Sequence, residues 1–526
     1  MLTKKNHLLL LLLFLYTVLG IYLSISNGIT SDEYHEQLNW EINFSAINNF
    51  IKSGNYDELL NYGDRYHGIA FHFISQPIQI IFSKFVSNLN DLSIFGGYLI
   101  TKHAVVFLLF SISGIFFYLL CLKISQSFPF SFVSTLIYLL YPYLFGHAQF
   151  NGKDIPFLTF WLINSYVFLS IIESIFHDQN IKLRKLIILS FLTAFLISIR
   201  VLGLIIFVEY LIGLIILFNV KDIIIINFFK KFYSKIFIFF ISFLTFLYIL
   251  NPILWHNPLE LLNSIKWMSK YHNDICTLTF GDCMRSLSLP ASYYFIWLFF
   301  KLPILIVLGI LFFPLVEKKI FSDKVKSIYY GTLFFSVIFI IFIFILKDIA
   351  IYDELRHVMF IVPIICLLSL INIFYLNKKF FYSFGVLVLI FFTFENLSLN
   401  PYQYTWLNSF AKFTNIQKNF EIDYWGISGK NLTKKIAEYA ESNSIDKNTC
   451  VYGDIFAKEF LTNKNFTCFK TYSQLDAAKE KTLFAYKNLR NVKRSDPKDC
   501  KLIWNETYNY SFYKKKISVG TVWFCS

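Results

Sequence analysis

The sequence is poor in charge. Only 16% of its 526 residues are Asp, Glu, Lys or Arg, while 56% are hydrophobic and 63 are phenylalanine. A soluble chain of this length would divide into several domains, each needing a charged surface that this composition does not supply. Apolar runs of about 18 residues or more recur instead, long enough to cross a bilayer as helices. No A-x-A cleavage site follows the first run, which favours a retained helix over a removed signal peptide. No H-E-x-x-H helix pattern, internal repeat or low-complexity linker is present. Basic stripes interleaved with stacking aromatics are also missing, so the net charge of +14 does not point to nucleic acid. It fits basic residues beside membrane spans.

What is there predicts an all-α polytopic membrane protein with about eleven transmembrane helices. The first span, His7 to about Ser26, follows Lys4 and Lys5 and leads to an outer loop over 27–96. Further spans are expected near Gly97–Leu122, Phe128–Phe145, Ile155–Ile175, on both sides of Arg200, and near Ile236–Trp255. The last four run near Tyr293–Val316, near Ile328–Leu346, up to Lys378, and on to Glu395. Every short loop assigned inside carries Lys or Arg, as the positive-inside rule requires. This places the N-terminus in the cytoplasm of an integral plasma or inner membrane protein. A polarity shift near Asn396 separates a membrane domain, 1–397, from a small extracytoplasmic domain of α/β or α+β type, 398–526.

Cysteine gives an independent check on sidedness. Cys121 and Cys366 fall inside spans, where a small thiol packs well. The other six, Cys276, Cys283, Cys450, Cys468, Cys500 and Cys525, all fall outside, as suits disulfides in an oxidising compartment. A Cys276–Cys283 bridge would close one small loop, and the tail has room for two more of open pairing. Zinc binding by the tail is disfavoured, because no CxxC pair is present.

The stretch "SDEYHEQ" puts Asp32, Glu33, His35 and Glu36 just past the first span. With this topology Asp154, Lys153, Arg200, Arg356 and His357 reach the same face. Charges at helix ends in a membrane are costly unless paired or functional. The chemistry that suits them is displacement at an anomeric carbon of a lipid-linked phosphosugar. A carboxylate, Asp32, would take the acceptor's proton. The guanidinium fork of Arg356, with His357, Arg200 and Lys153, would meet the charge growing on the leaving phosphate.

These segments resemble the GT-C fold superfamily of protein O-mannosyltransferases and lipid A aminoarabinose transferases. The matching features are the Asp32-Glu33 pair after one helix and "NGKDIPFLTFW" with Asp154 and Pro156. "NPILWHNPLELLNSIKWMS", "LPASYYFIWLFFKLPI", "YDELRHVMFIVP", "NPYQYTWLN" and "FEIDYWGIS" follow in the family's order. The similarity covers most of the first 430 residues. It implies a polyprenyl-phosphate sugar donor and inverting transfer on the outer face to a lipid, glycan or protein acceptor. Asp32 and Glu33 would be the catalytic pair, with Asp32 the base, and Glu33 and Asp154 would shape the donor and acceptor site, with no cofactor or metal required. The sugar-binding repeats of eukaryotic O-mannosyltransferases are missing, and the four tail cysteines have no counterpart in the pattern.

Other readings stay open. A ligase or polymerase of surface glycans shares the substrate class but not the Asp-Glu opening. A transporter or flippase would bury polar groups at the midplane, often in repeated halves, whereas the charges here gather at one face. His35 is read as a hydrogen-bonded loop residue, although a metal shared with Glu36 or Asp32 is the alternative. "GDRYHGIAFHF" reads as an amphipathic helix lying on the membrane. Trp40, Trp255, Trp267 and Trp297 read as interfacial anchors.

Overall fold

A computed structural model describes residues 4–269, 274–488, 490, 495–513 and 515–526, with side chains from residue 10 onward. Seven helices are long and apolar enough to cross a membrane by length and composition: Ile94–Ser125, Asp154–Phe176, Val201–Lys221, Ile225–Leu250, Lys324–Leu346, Arg356–Leu376 and Lys378–Leu399. Two further expected spans are bent pairs, Phe128–Leu140 with Pro142–Ala148 at 62° and Ser292–Lys301 with Ile304–Leu311 at 120°. Proline explains both bends. Tyr141 and Leu302 adopt extended ψ values of 112° and 137° immediately before Pro142 and Pro303, as the ring's clash with the preceding residue demands. The last two expected segments fall on the N-terminal helix Lys4–Ile25 and on Leu183–Ile199. Among the described residues, seven to nine helices therefore meet the length criterion, and all eleven expected segments are helical.

Burial sorts these helices. Arg356–Leu376 is enclosed along 94% of its apolar stretch, against 11% for Ile225–Leu250. A helix that is apolar all round belongs in the centre of the bundle, and this one carries Arg356 and His357 at its entry. Peripheral helices present Phe, Leu and Ile outward, such as Phe384, Leu387 and Ile390. Leu183–Ile199 stops at Arg200, whose backbone is extended (φ −147°, ψ 131°) before a 3₁₀ turn over Val201–Ile205. Arg200 thus sits in a break between two helices.

Two long helices, Glu33–Ser53 and Ala70–Asn90, and a short one, Asp57–Asn61, fill the loop after the first span. The "GDRYHGIAFHF" segment is mostly turn, with only its end entering Ala70–Asn90. A hairpin, Cys276–Thr279 with Asp282–Arg285, is closed by the Cys276–Cys283 disulfide. Its two-residue turn has positive φ at Phe280 and Gly281 (53° and 93°), the twist that matches paired strands. Trp297 does not anchor at an interface. It is fully buried and its indole N–H donates to the Thr279 hydroxyl at 3.0 Å.

After the last span the chain folds back onto the bundle. Tyr404, Trp406, Tyr424 and Trp425 are buried in the main core, and Gly146 lies so close that a Cβ there would stand 2.1 Å from the Tyr404 backbone nitrogen. A mixed five-stranded sheet follows, in the spatial order Phe469–Thr471, Cys450–Gly453, Leu483–Asn488, Ile517–Cys525, Cys500–Tyr508. The first three are parallel and the last two antiparallel additions. Helix Gly429–Ser442 covers one face through Leu432 and Ile436 against Val451, Phe484 and Val522. The tail cysteines pair as Cys450–Cys468 and Cys500–Cys525, joining neighbouring strand ends. Cys121 and Cys366 are free and buried.

Candidate active site

The site forms where helix ends and loops meet at one end of the bundle. Asp32 caps the start of helix Glu33–Ser53 without bonding its own backbone, which leaves its carboxylate free to reach outward. Arg356 meets it: Nη2 donates to Asp32 Oδ2 at 3.0 Å. The same guanidinium approaches Asp154 Oδ2 at 3.6 Å through Nε and donates to Asp353 Oδ2 at 3.2 Å through Nη1. Arg356 and Asp154 are buried, and the Asp32 side chain is 39% exposed. Of the three carboxylates on Arg356, Asp32 is the exposed one.

Asp154 begins helix Asp154–Phe176, where the helix dipole favours a carboxylate. The Asn151 amide donates to its Oδ2 at 2.9 Å, and Arg200 pairs with its Oδ1. Arg200 also donates to His357 Nδ1 at 3.4 Å. Lys153 has no ion pair among the described residues. Burial lowers its pKa to about 8, with Arg200 adding to the effect and Glu36, Asp32 and Asp154 opposing it. It lines a narrow cleft with Glu36, Asn39, Gly68 and His72. Glu36 is held by Lys102 at 3.2 Å. Burial works to raise the Glu36 pKa, but Lys102 and Lys153 outweigh it and keep the carboxyl below its usual range.

Glu33 faces elsewhere. Its Oε1 accepts from the Thr30 backbone N–H and hydroxyl, each at 2.9 Å, and lies 2.9 Å from His103 Nε2. These bonds tie the loop carrying Asp32 to helix Ile94–Ser125. His35 lies 3.2 Å from Asp64, and both side chains are partly exposed.

Several parts of the site were not picked out from the sequence. Trp425 lies under the Arg356 guanidinium, 4.4 Å from the ring centroid, and Tyr352 lies on it at 5.4 Å. Both stand in segments already quoted, "DYWG" and "YDELRH", but nothing in their spacing assigns them a face. Arg490 arrives from the tail, pairs with Asp353, and donates to the Tyr424 carbonyl at 3.3 Å. No signal in the sequence links it to Arg356.

The cluster is short of acceptors. Arg200 Nε, Arg356 Nε and His357 Nε2 are buried with no hydrogen-bond partner among the described residues. Buried donors without partners cost free energy unless something accepts from them. Spare donors beside an exposed carboxylate suit an oxyanion.

No protein-family model and no curated protein matches the chain. Solved structures do. In fold, the chain is similar to ArnT. The apo structure of ArnT from Cupriavidus metallidurans is 10% identical, with 99% of this chain and 98% of that one covered at a TM-score of 0.46. The structure of the same protein bound to undecaprenyl phosphate is also 10% identical, with coverage of 98% and 97% and a TM-score of 0.43. Both likenesses describe overall shape, and the functional reading rests on the site's own geometry.

Proposed function

We propose that the protein is a membrane glycosyltransferase that moves a sugar from a polyprenyl-phosphate donor to a lipid, glycan or protein acceptor at the outer face. The observation that carries this reading is the contact of Arg356 with both Asp32 and Asp154, beside buried Arg200 Nε and His357 Nε2 atoms that have no hydrogen-bond partner among the described residues. Asp32 is the general base. It takes the proton of the acceptor hydroxyl as that oxygen bonds to the anomeric carbon. The bond from that carbon to the phosphate oxygen breaks on the opposite side with its electron pair, so the configuration inverts. Arg356, Arg200, Lys153 and His357 receive the charge gathered on the leaving phosphate.

The ion pair between Asp32 and Arg356 fits this sequence of events. A carboxylate bound to a guanidinium is a poor base. A phosphate that draws Arg356 toward itself loosens that pair and frees Asp32 for the hydroxyl. Donor binding and base activation are then one event. Glu33 acts as a positioning residue, holding the loop through Thr30 and His103, and Asp154 orients both arginines. The outer-face location follows from the basic inner loops.

The test is transfer by purified protein in lipid nanodiscs, supplied with labelled polyprenyl-phosphate sugars and with an acceptor identified by glycan profiling of a deletion strain. Asp32→Asn is expected to lose transfer by at least roughly a thousandfold while keeping its thermal melt and its affinity for polyprenyl phosphate. Normal turnover by that variant would remove Asp32 from the mechanism.

A further inference from the structure

We propose that His35, Asp64 and His67 form a binding site for a divalent transition-metal ion such as Zn²⁺ at the rim of the cleft. One ligand atom from each of the three residues lies within 4.8 Å of the others. Asp64 supplies both edges: its Oδ2 is 3.2 Å from His35 Nε2, and its Oδ1 is 3.5 Å from His67 Nδ1. A tetrahedral ion with bonds of about 2.0–2.1 Å spaces its ligands about 3.3 Å apart, so these separations already approach those of a loaded site. The two imidazoles stand nearly perpendicular, with centroids 5.8 Å apart. They therefore converge on the carboxylate rather than stack on one another.

The donors come from two separately fixed elements. His35 lies in the first turn of Glu33–Ser53, the helix that Asp32 caps. Asp64 and His67 lie in the turn before Ala70–Asn90. The His67 backbone N–H donates to the Asp64 carbonyl at 2.9 Å, and the neighbouring Tyr66 hydroxyl donates to Glu260 at 2.6 Å. That turn is held without help from an ion, so little ordering remains for a metal to drive.

The ligand set narrows the class of ion. Two imidazoles and one carboxylate select zinc, cobalt or nickel over magnesium and calcium. Three protein ligands leave a coordination position open. His35 and Asp64 are partly exposed, at 47% and 34% of their side chains, so that position is accessible to water or to an anionic oxygen of a molecule entering the cleft. Metal binding here is independent of the proposed transfer reaction, and its readout is the ion itself.

The experiment uses untagged full-length protein in detergent, stripped by a chelator and titrated with Co²⁺, whose visible absorption reports four- or five-coordination. The expected result is one Co²⁺ per chain, displaced by Zn²⁺ and not by Mg²⁺. Affinity should fall at least tenfold in His67→Gln and in Asp64→Asn, and stay unchanged in His256→Gln. X-ray absorption of the Zn²⁺-loaded wild type needs no variant and should show two imidazole ligands. An unchanged stoichiometry in the His35→Gln/His67→Gln double variant, a metal shell without imidazole, or no saturable binding by the folded wild type would each overturn the site.

Discussion

Arg356 shows what one side chain can do at a membrane edge. It contacts three carboxylates, Asp32, Asp154 and Asp353, and lies against the rings of Trp425 and Tyr352. A lysine cannot replace it, because a point charge lacks the planar fork that serves several oxygens and the flat face that stacks on indole. Arg356→Lys is expected to keep the fold and weaken polyprenyl-phosphate binding by roughly 10- to 100-fold, the equivalent of one or two lost charge-assisted hydrogen bonds. Acceptor KM should change far less, and equal loss of both would make Arg356 a structural residue. Lys153 supports a prediction in pH. Its pKa is lowered to about 8, so the ammonium is present below that pH and lost above it. If it holds the donor phosphate, kcat/KM, which reports the free enzyme, should fall tenfold per pH unit above about 8. Lys153→Arg should flatten that limb, since guanidinium stays charged throughout. A limb unchanged in Lys153→Arg would assign the titration to another group.

Among the elements, the breaks matter more than the spans. Apolar runs are legible in sequence because roughly 20 residues must cross hydrocarbon whatever lies around them. The ends of those runs marked Asp32, Asp154, Arg200 and Arg356 as candidates, since charge beside an apolar run stands out. Which way each side chain faces was not legible, because that depends on helix rotation and on loops that meet only in three dimensions. Glu33 is one residue from Asp32 and bonds in another direction, toward Thr30 and His103. Trp297 lies near a span boundary and is wholly buried, because a hairpin folds over it. Gly68 shows how tightly the break at Arg200 is held. A Cβ there would stand 2.3 Å from the Ser198 carbonyl oxygen and 2.6 Å from that of Ile199. Both are backbone atoms that cannot rotate away. Gly68→Ala should therefore displace the segment leading to Arg200, costing about 1–3 kcal/mol of stability by overpacking. Donor affinity should fall with it, measured by thermal melting and polyprenyl-phosphate binding in parallel. Unchanged donor affinity would separate that packing contact from the site.

For the molecule as a whole, the question is why a bundle of membrane-length helices should carry a disulfide-bonded sheet at its end. Arg490 follows the strand Leu483–Asn488 by two residues and pairs with Asp353, the carboxylate that also holds Arg356. The path from tail to site is two ion pairs long. Because the Arg490 side chain is one-third exposed, solvent screens its pair, and its loss should cost about 1–2 kcal/mol rather than the larger penalty of a wholly buried pair. If the tail positions Arg356 through Asp353, Arg490→Ala should lower kcat/KM roughly tenfold, by the same arithmetic, and Arg490→Lys should recover part of it. A merely structural arginine would lower the melting temperature without changing donor selectivity, whereas a positioning arginine should raise donor KM while acceptor KM holds. Reduction gives an independent route to the same point. Cys450–Cys468 and Cys500–Cys525 tie the strands flanking Leu483–Asn488, and opening such loops releases roughly 2–4 kcal/mol of stabilisation. Mild reductant should therefore weaken donor binding in the wild type, and weaken it less in Arg490→Ala, where the link from sheet to site is already cut. Equal sensitivity of the two proteins would mean that the sheet reaches the site by some route other than Arg490.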